Sequence, residues 1–136
     1  MSQKTFAVTL MDAPYESENL TTAFRILDAM ARRGHNINVF AFEGASGLAF
    51  SKQAPHPNPV HGKNVAEENH PTTKDQVTAL LALAAKSGGK VDWVNCGMCV
   101  DERGVGEFVA DTRRGAPADF HSFCEASDNV LAIPTK

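Results

Sequence analysis

Two short apolar runs, "TFAVTL" from Thr5 to Leu10 and "INVFAF" from Ile37 to Phe42, bracket a segment with helical spacing, and this alternation constrains the fold most. Both runs are rich in β-branched and aromatic residues and lack the polar alternation of a half-exposed strand, so they read as strands covered on both faces. Between them Leu20, Ala23, Phe24, Leu27 and Ala31 fall on one stripe of a helix. Ser17 or Asn19 can cap its start, and Arg32, Arg33 and Gly34 form its stop signal. Strand, helix and strand within about forty residues make parallel pairing through a right-handed crossover the default.

From Glu43 to Pro71 the periodicity disappears into a stretch rich in Gly, Pro, His and Asn. A loop of that length inside a compact domain is usually functional or disordered. Thr73 and Gln76 then have the spacing of a capping box, opening a helix with Val77, Leu80, Leu81, Ala84 and Ala85 on its buried face and Gly88-Gly89 at its end. "VDWVN" (Val91 to Asn95) predicts a third strand. Pro117 opens a short helix carrying Phe120, Phe123 and Cys124, and "NVLAI" (Asn129 to Ile133) predicts a closing strand. A further strand near Phe108 to Ala110 is blurred by Gly104 and Gly106. The expected architecture is one α/β domain over residues 1–136, a three-layer sandwich with a mostly parallel sheet of four to five strands.

Composition narrows the function. A net charge of −3 supplies no field for holding nucleic acid. Three cysteines are too few, and odd in number, for a secreted disulfide framework. "MSQKTFAVTL" lacks the apolar run of a signal peptide, and no stretch approaches the ~20 apolar residues of a membrane span. The expectation is a cytoplasmic protein with reduced thiols and no membrane or nucleic-acid partner.

In parallel sheets, ligands gather beyond the carboxyl ends of the strands. Here those ends carry Asp12-Ala13, Glu43-Gly44 and "NCGMC", with Cys96 and Cys99 two residues apart. Cys99, where a turn or helix begins, is placed to meet unpaired amides that favour thiolate. Arg103, four residues on, shares its face, and the polar run Asp101-Glu102-Arg103 argues for an accessible thiol. Three chemistries suit the pair. A zinc clamp would join Cys96 and Cys99 to His56 and His61, which also have ligand spacing. A thioredoxin-like dithiol is suggested by the tryptophan before the CxxC, although the motif comes late and no proline is obviously placed to face it. A sulfur carrier needs one nucleophilic, accessible thiol. Gly44 to Gly47 reads as a flexible turn, Cys124 as a core residue and Arg113-Arg114 as too short a basic cluster to mark a partner, while His35, His70 and His121 have no neighbours that raise them above packing or surface roles.

"CVDERGV" after an apolar strand resembles the motif of the DsrE/DsrF family of small sulfur-relay proteins, which includes TusD. The opening strand, the Leu-Thr-Thr-Ala helix, the Gly34-His35 turn, "INVFAF" and the ending "EASDNVLAI" are also similar, so the resemblance spans nearly the whole chain. It implies a flavodoxin-like fold and a sulfurtransferase-like carrier in which Cys99 bears a persulfide. Arg103, Gly44 and Asp12 are then the candidate substrate-binding residues. It further implies no cofactor, a homo-oligomer or mixed complex, and rhodanese-like or TusA-like donor and acceptor proteins. Two departures stand out: Arg103-Gly104 follows Cys99 more closely than in the usual motif, and Cys96 adds a second thiol, which either resolves a persulfide into a disulfide or merely lies at the strand end.

Overall fold

A computed structural model describes residues 2–135. Five strands form one parallel sheet in the order β4-β3-β2-β1-β5. β1 (Thr5–Leu10), β2 (Asn36–Ala41) and β3 (Val91–Cys96) are the central strands, and β4 (Thr112–Gly115) and β5 (Asn129–Ile133) are the edges. The helices are α1 (Glu18–Arg32), α2 (Val65–Glu68), α3 (Thr73–Lys86), α4 (Gly97–Arg103) and α5 (Pro117–Ala126). The connections from β1 through β3 step one way across the sheet, whereas β5 returns to the far side of β1. This reversal puts α1 and α3 on one face and α5 on the other, as right-handed crossovers require.

Strand alternation sorts the side chains between these layers. Val8, Leu10, Ile37, Val39, Ala41 and Trp93 face α1 and α3, where Leu27 and Val77 are fully buried. Ala7 and Val94 point the other way and pack against Phe123 of α5. The same period turns Phe40 and Cys96 to the α5 side, where they cluster with Cys99, Phe42 and Phe120. The position of the thiols therefore follows from the register of β3.

Several local expectations change. Ser17 is the residue that caps α1, its hydroxyl accepting the Asn19 N–H at 3.2 Å. The predicted Thr73 capping box does not form, because the helix starts one residue earlier, with Thr72 as its cap. Thr73 instead donates its hydroxyl to the Leu48 carbonyl at 2.9 Å, while the Gln53 side chain accepts the Lys74 N–H at 3.0 Å. These bonds tie the loop to the helix. The strand sought at Phe108–Ala110 lies slightly later, at Thr112–Gly115, and Phe108 makes only an isolated antiparallel bridge to Phe50. Gly44 to Gly47 is no flexible turn: it lies in a 3-10 turn, Glu43–Gly47, with Ala45 and Ser46 buried. A Cβ on Gly44 would come within 2.8 Å of Ala13, so glycine is what lets the turn close on the end of β1. Cys124 is half-buried, while its neighbour Phe123 takes the core position. His35 is a packing residue, buried with its Nδ1 accepting the Lys4 N–H at 3.1 Å.

Candidate functional site

Cys96 closes β3 and caps α4, and Cys99 lies in the first turn of that helix. Both thiols are free and buried, and Cys96 lies close enough to influence the Cys99 proton. They open onto a cavity of about 450 Å³ also lined by Phe42, Glu43, Met98, Glu102, Arg114 and Pro117. The thiols pack against an aromatic cluster, with Phe40 stacked between Phe42 at 5.9 Å and Phe120 at 5.8 Å. Met98, between the two cysteines in sequence, is 72% exposed and marks the mouth.

The electrostatics differ from what the sequence suggests. The sequence predicts an accessible thiolate at Cys99, yet only 6% of the residue is exposed. Burial, and then the neighbouring Cys96 thiol, push its pKa up to about 11. The Glu43 N–H, donating to Sγ at 3.3 Å, works in the opposite direction. The charge of Glu43 adds to the upward shift. One amide does not offset removal of the sulfur from water. The polar run that argued against burial occupies the outer face of α4, while Cys99 and Val100 point inward.

Glu43 is held in the left-handed region at φ +52°, a conformation costing a side-chain-bearing residue about 1–3 kcal/mol. Its backbone N–H goes to Cys99, and its carboxylate accepts from Arg103 Nη2 at 2.8 Å. Arg103 also reaches the Cys99 carbonyl at 3.4 Å. Its guanidinium thus buttresses the thiol's backbone rather than facing the sulfur. Arg103 and Gly44 line a neighbouring crevice of about 550 Å³ that shares Phe42 and Glu43 with the thiol cavity. Asp12 lines neither space. It is buried, accepts the Ser17 hydroxyl and organises the start of α1, leaving Oδ1 without a protein partner.

Arg114 is the residue that sequence reasoning missed. It lies on β4, whose final residue, Gly115, pairs in register with Cys96. Its guanidinium covers Gly97, with Nε only 2.7 Å from where a Cβ would stand. Asp101 accepts from both terminal nitrogens, at 2.9 and 2.7 Å. A pair of arginines in a short polar segment carries no periodic signal, and only the strand pairing brings one of them to the thiols.

The zinc constellation is not assembled. His56 packs against Tyr15 at 5.2 Å and His70 at 5.3 Å, and His61 is exposed. Among the described residues, no group of three or more His, Cys, Asp or Glu side chains comes together to hold a metal ion. The CxxC also sits on a different frame from a thioredoxin's early motif, at the end of the third strand of an all-parallel sheet, although Pro117 does line its cavity.

Comparison with known proteins agrees with this architecture. The model of the DsrE/DsrF-like family matches residues 4–133, almost the entire chain. The chain belongs to the DsrE/DsrF-like family. The crystal structure of the YchN protein from E. coli is similar in fold, with a TM-score of 0.72 over 96% of this chain and 99% of YchN, at 19% sequence identity. A search of curated proteins found no match. Membership in the DsrE/DsrF-like family points to a role in sulfur relay, a process that works through partner proteins. Among the described residues, no helix is long and apolar enough to cross a membrane.

Proposed function

We propose that this protein is a cytoplasmic sulfur carrier that accepts sulfane sulfur as a persulfide on Cys99 and passes it to a partner thiol. The observation that carries the reading is the convergence of two buried thiols in one cavity at the carboxyl edge of the sheet. The loading step needs no cofactor. Cys99, as thiolate, attacks the outer sulfur of a donor persulfide. A new S–S bond forms at Cys99, the donor's S–S bond breaks, and the donor leaves as thiolate, recovering the proton that Cys99 gave up. No net oxidation or reduction occurs.

Burial suits such a carrier. A thiol held protonated is poorly reactive toward adventitious oxidants and electrophiles, which attack thiolates. A persulfide is a stronger acid than the thiol from which it forms, so the loaded site ionises more readily than the empty one. The exposed Met98 offers adaptable apolar contact to a docking donor, such as a rhodanese-like or TusA-like protein. Assembly of several copies is part of the proposal. Val130, 50% exposed on the edge strand β5, lies in an uncharged apolar sequence that a lone chain leaves to water.

Intact mass before and after incubation with inorganic polysulfide tests the carrier. The protein should gain sulfur that reductant removes, and Cys99→Ser should not. Full loading of Cys99→Ser would defeat the assignment.

A further inference from the structure

The two thiols have opposite charged neighbours. Cys99 is held against Glu43, whose carboxylate opposes negative charge on its sulfur. Cys96 has Arg114 beside it: the guanidinium lies over Gly97, the next residue in the chain, and lines the same cavity. Both Nη groups of Arg114 are given to Asp101, and among the described residues Nε–H has no acceptor. That spare donor is the atom nearest the position a Gly97 side chain would occupy. The absence of a side chain at Gly97 is what lets the cation reach the end of β3. Arg114 holds its proton more tightly, chiefly because of Asp101 and in smaller part because of Cys96.

From this asymmetry the geometry points to Cys96, paired with Arg114, as the sulfur on which the persulfide comes to rest, with Arg114 as its positioning residue. The inference depends on the sulfur-carrier reading above and adds where in the cavity the sulfur is stored. The step is a transfer between neighbours. Cys96 thiolate attacks the outer sulfur of the Cys99 persulfide. The new S–S bond forms at Cys96 as the bond to Cys99 breaks. The electron pair goes to Cys99, which takes up the persulfide's proton. A persulfide anion on Cys96 and a neutral thiol on Cys99 result, with no oxidant or reductant consumed. Compared with a persulfide anion left on Cys99, the charge then stands beside a guanidinium instead of beside a carboxylate.

The test localises sulfur within the peptide containing both cysteines. Wild-type protein is loaded with inorganic polysulfide and alkylated, and the extra sulfur is assigned to Cys96 or Cys99 by fragment masses. Wild type should carry most of it on Cys96. Arg114→Ala should move the partition toward Cys99 by about tenfold, the low end for loss of an opposite charge because Asp101 already balances part of it. Arg114→Lys should restore much of the Cys96 share, and Asp101→Asn should increase it. Circular dichroism confirms that each variant is folded. An unchanged partition in folded Arg114→Ala, or sulfur confined to Cys99 in wild type, overturns the assignment while leaving sulfur carriage intact. Absence of loading on either thiol defeats carriage and this assignment together.

Discussion

Cys99 should be a slow thiol at neutral pH, and the structure sets how slow. With its pKa near 11, only about three molecules in ten thousand carry thiolate at pH 7.5, against roughly one in ten for an unperturbed cysteine near 8.5. That alone slows alkylation about 300-fold. A more basic thiolate is also a better nucleophile, and a Brønsted coefficient of ~0.4–0.5 over about 2.5 pKa units returns a factor of roughly 10–20. The net expectation is alkylation about 15–30 times slower than that of a free cysteine, before any steric shielding by the aromatic cluster. The assay is iodoacetamide labelling across pH 7 to 12, with Cys99 quantified by peptide mass. The rate should climb about tenfold per pH unit and bend only near the top of that range. Glu43→Gln should raise the rate at neutral pH, since its carboxylate opposes the thiolate. A plateau at pH 8, or labelling as fast as free cysteine, would refute the argument that burial outweighs the Glu43 amide.

The same shift gives a stability prediction whose sign is fixed. The folded state keeps the Cys99 proton after the unfolded chain has lost it, so the stabilisation is complete below about 8.5 and disappears as pH rises toward about 11. Denaturant melts at pH 7 and pH 10.5 should therefore show wild type losing up to roughly 3 kcal/mol more than Cys99→Ala. Leu27→Ala should cost about 2–5 kcal/mol in chemical denaturation, because the fully buried side chain lies in the main core cluster away from the thiols. Gly97→Ala would put a Cβ within 2.9 Å of three atoms of the Arg114 guanidinium, so it should swing that side chain off the thiols and reproduce the Arg114→Ala sulfur partition without a large loss of stability. If β5 is an interface, Val130→Lys should reduce the apparent mass in light scattering while circular dichroism stays unchanged.

The legible parts of the sequence were those whose burial is uniform. β1, β2 and β3 are covered on both faces, so their apolar runs announced them, and α1 is amphipathic enough for its stripe and cap to be read directly. Placing the cysteines at the carboxyl end of β3 followed from the same runs. β4 was illegible for the converse reason. It is a short edge strand, Thr-Arg-Arg-Gly, stabilised by pairing to β3 and by arginines held on Asp92, Asp101 and Asp119. Apart from Arg113–Asp119 those contacts join residues 13 or more apart in sequence, so no short window contains the signal. The burial of Cys99 failed differently. The charged run after it suggests exposure, but α4 turns those charges outward and the sulfur inward.

Polar neighbours in sequence therefore describe the other side of the helix, and the consequence for chemistry is large. A CxxC at a strand end invites the reading of a single activated nucleophile, with the second cysteine as an accessory. The pairing of β4 with β3 changes that, because it is the long-range contact that introduces a cation at one thiol while the turn after β2 brings a carboxylate to the other. Deleting either charge should act on the distribution of sulfur between the thiols more than on the total taken up. Glu43→Gln should relieve the penalty on charge at Cys99 and increase its share of the sulfur, whereas Asp101→Asn should act at Cys96. Combined, the two substitutions should largely cancel in the partition, because they act through separate side chains on opposite ends of one exchange. A double variant that departs strongly from the product of the two single effects would mean that the charges are coupled through movement of α4, and that the site cannot be treated as a fixed frame.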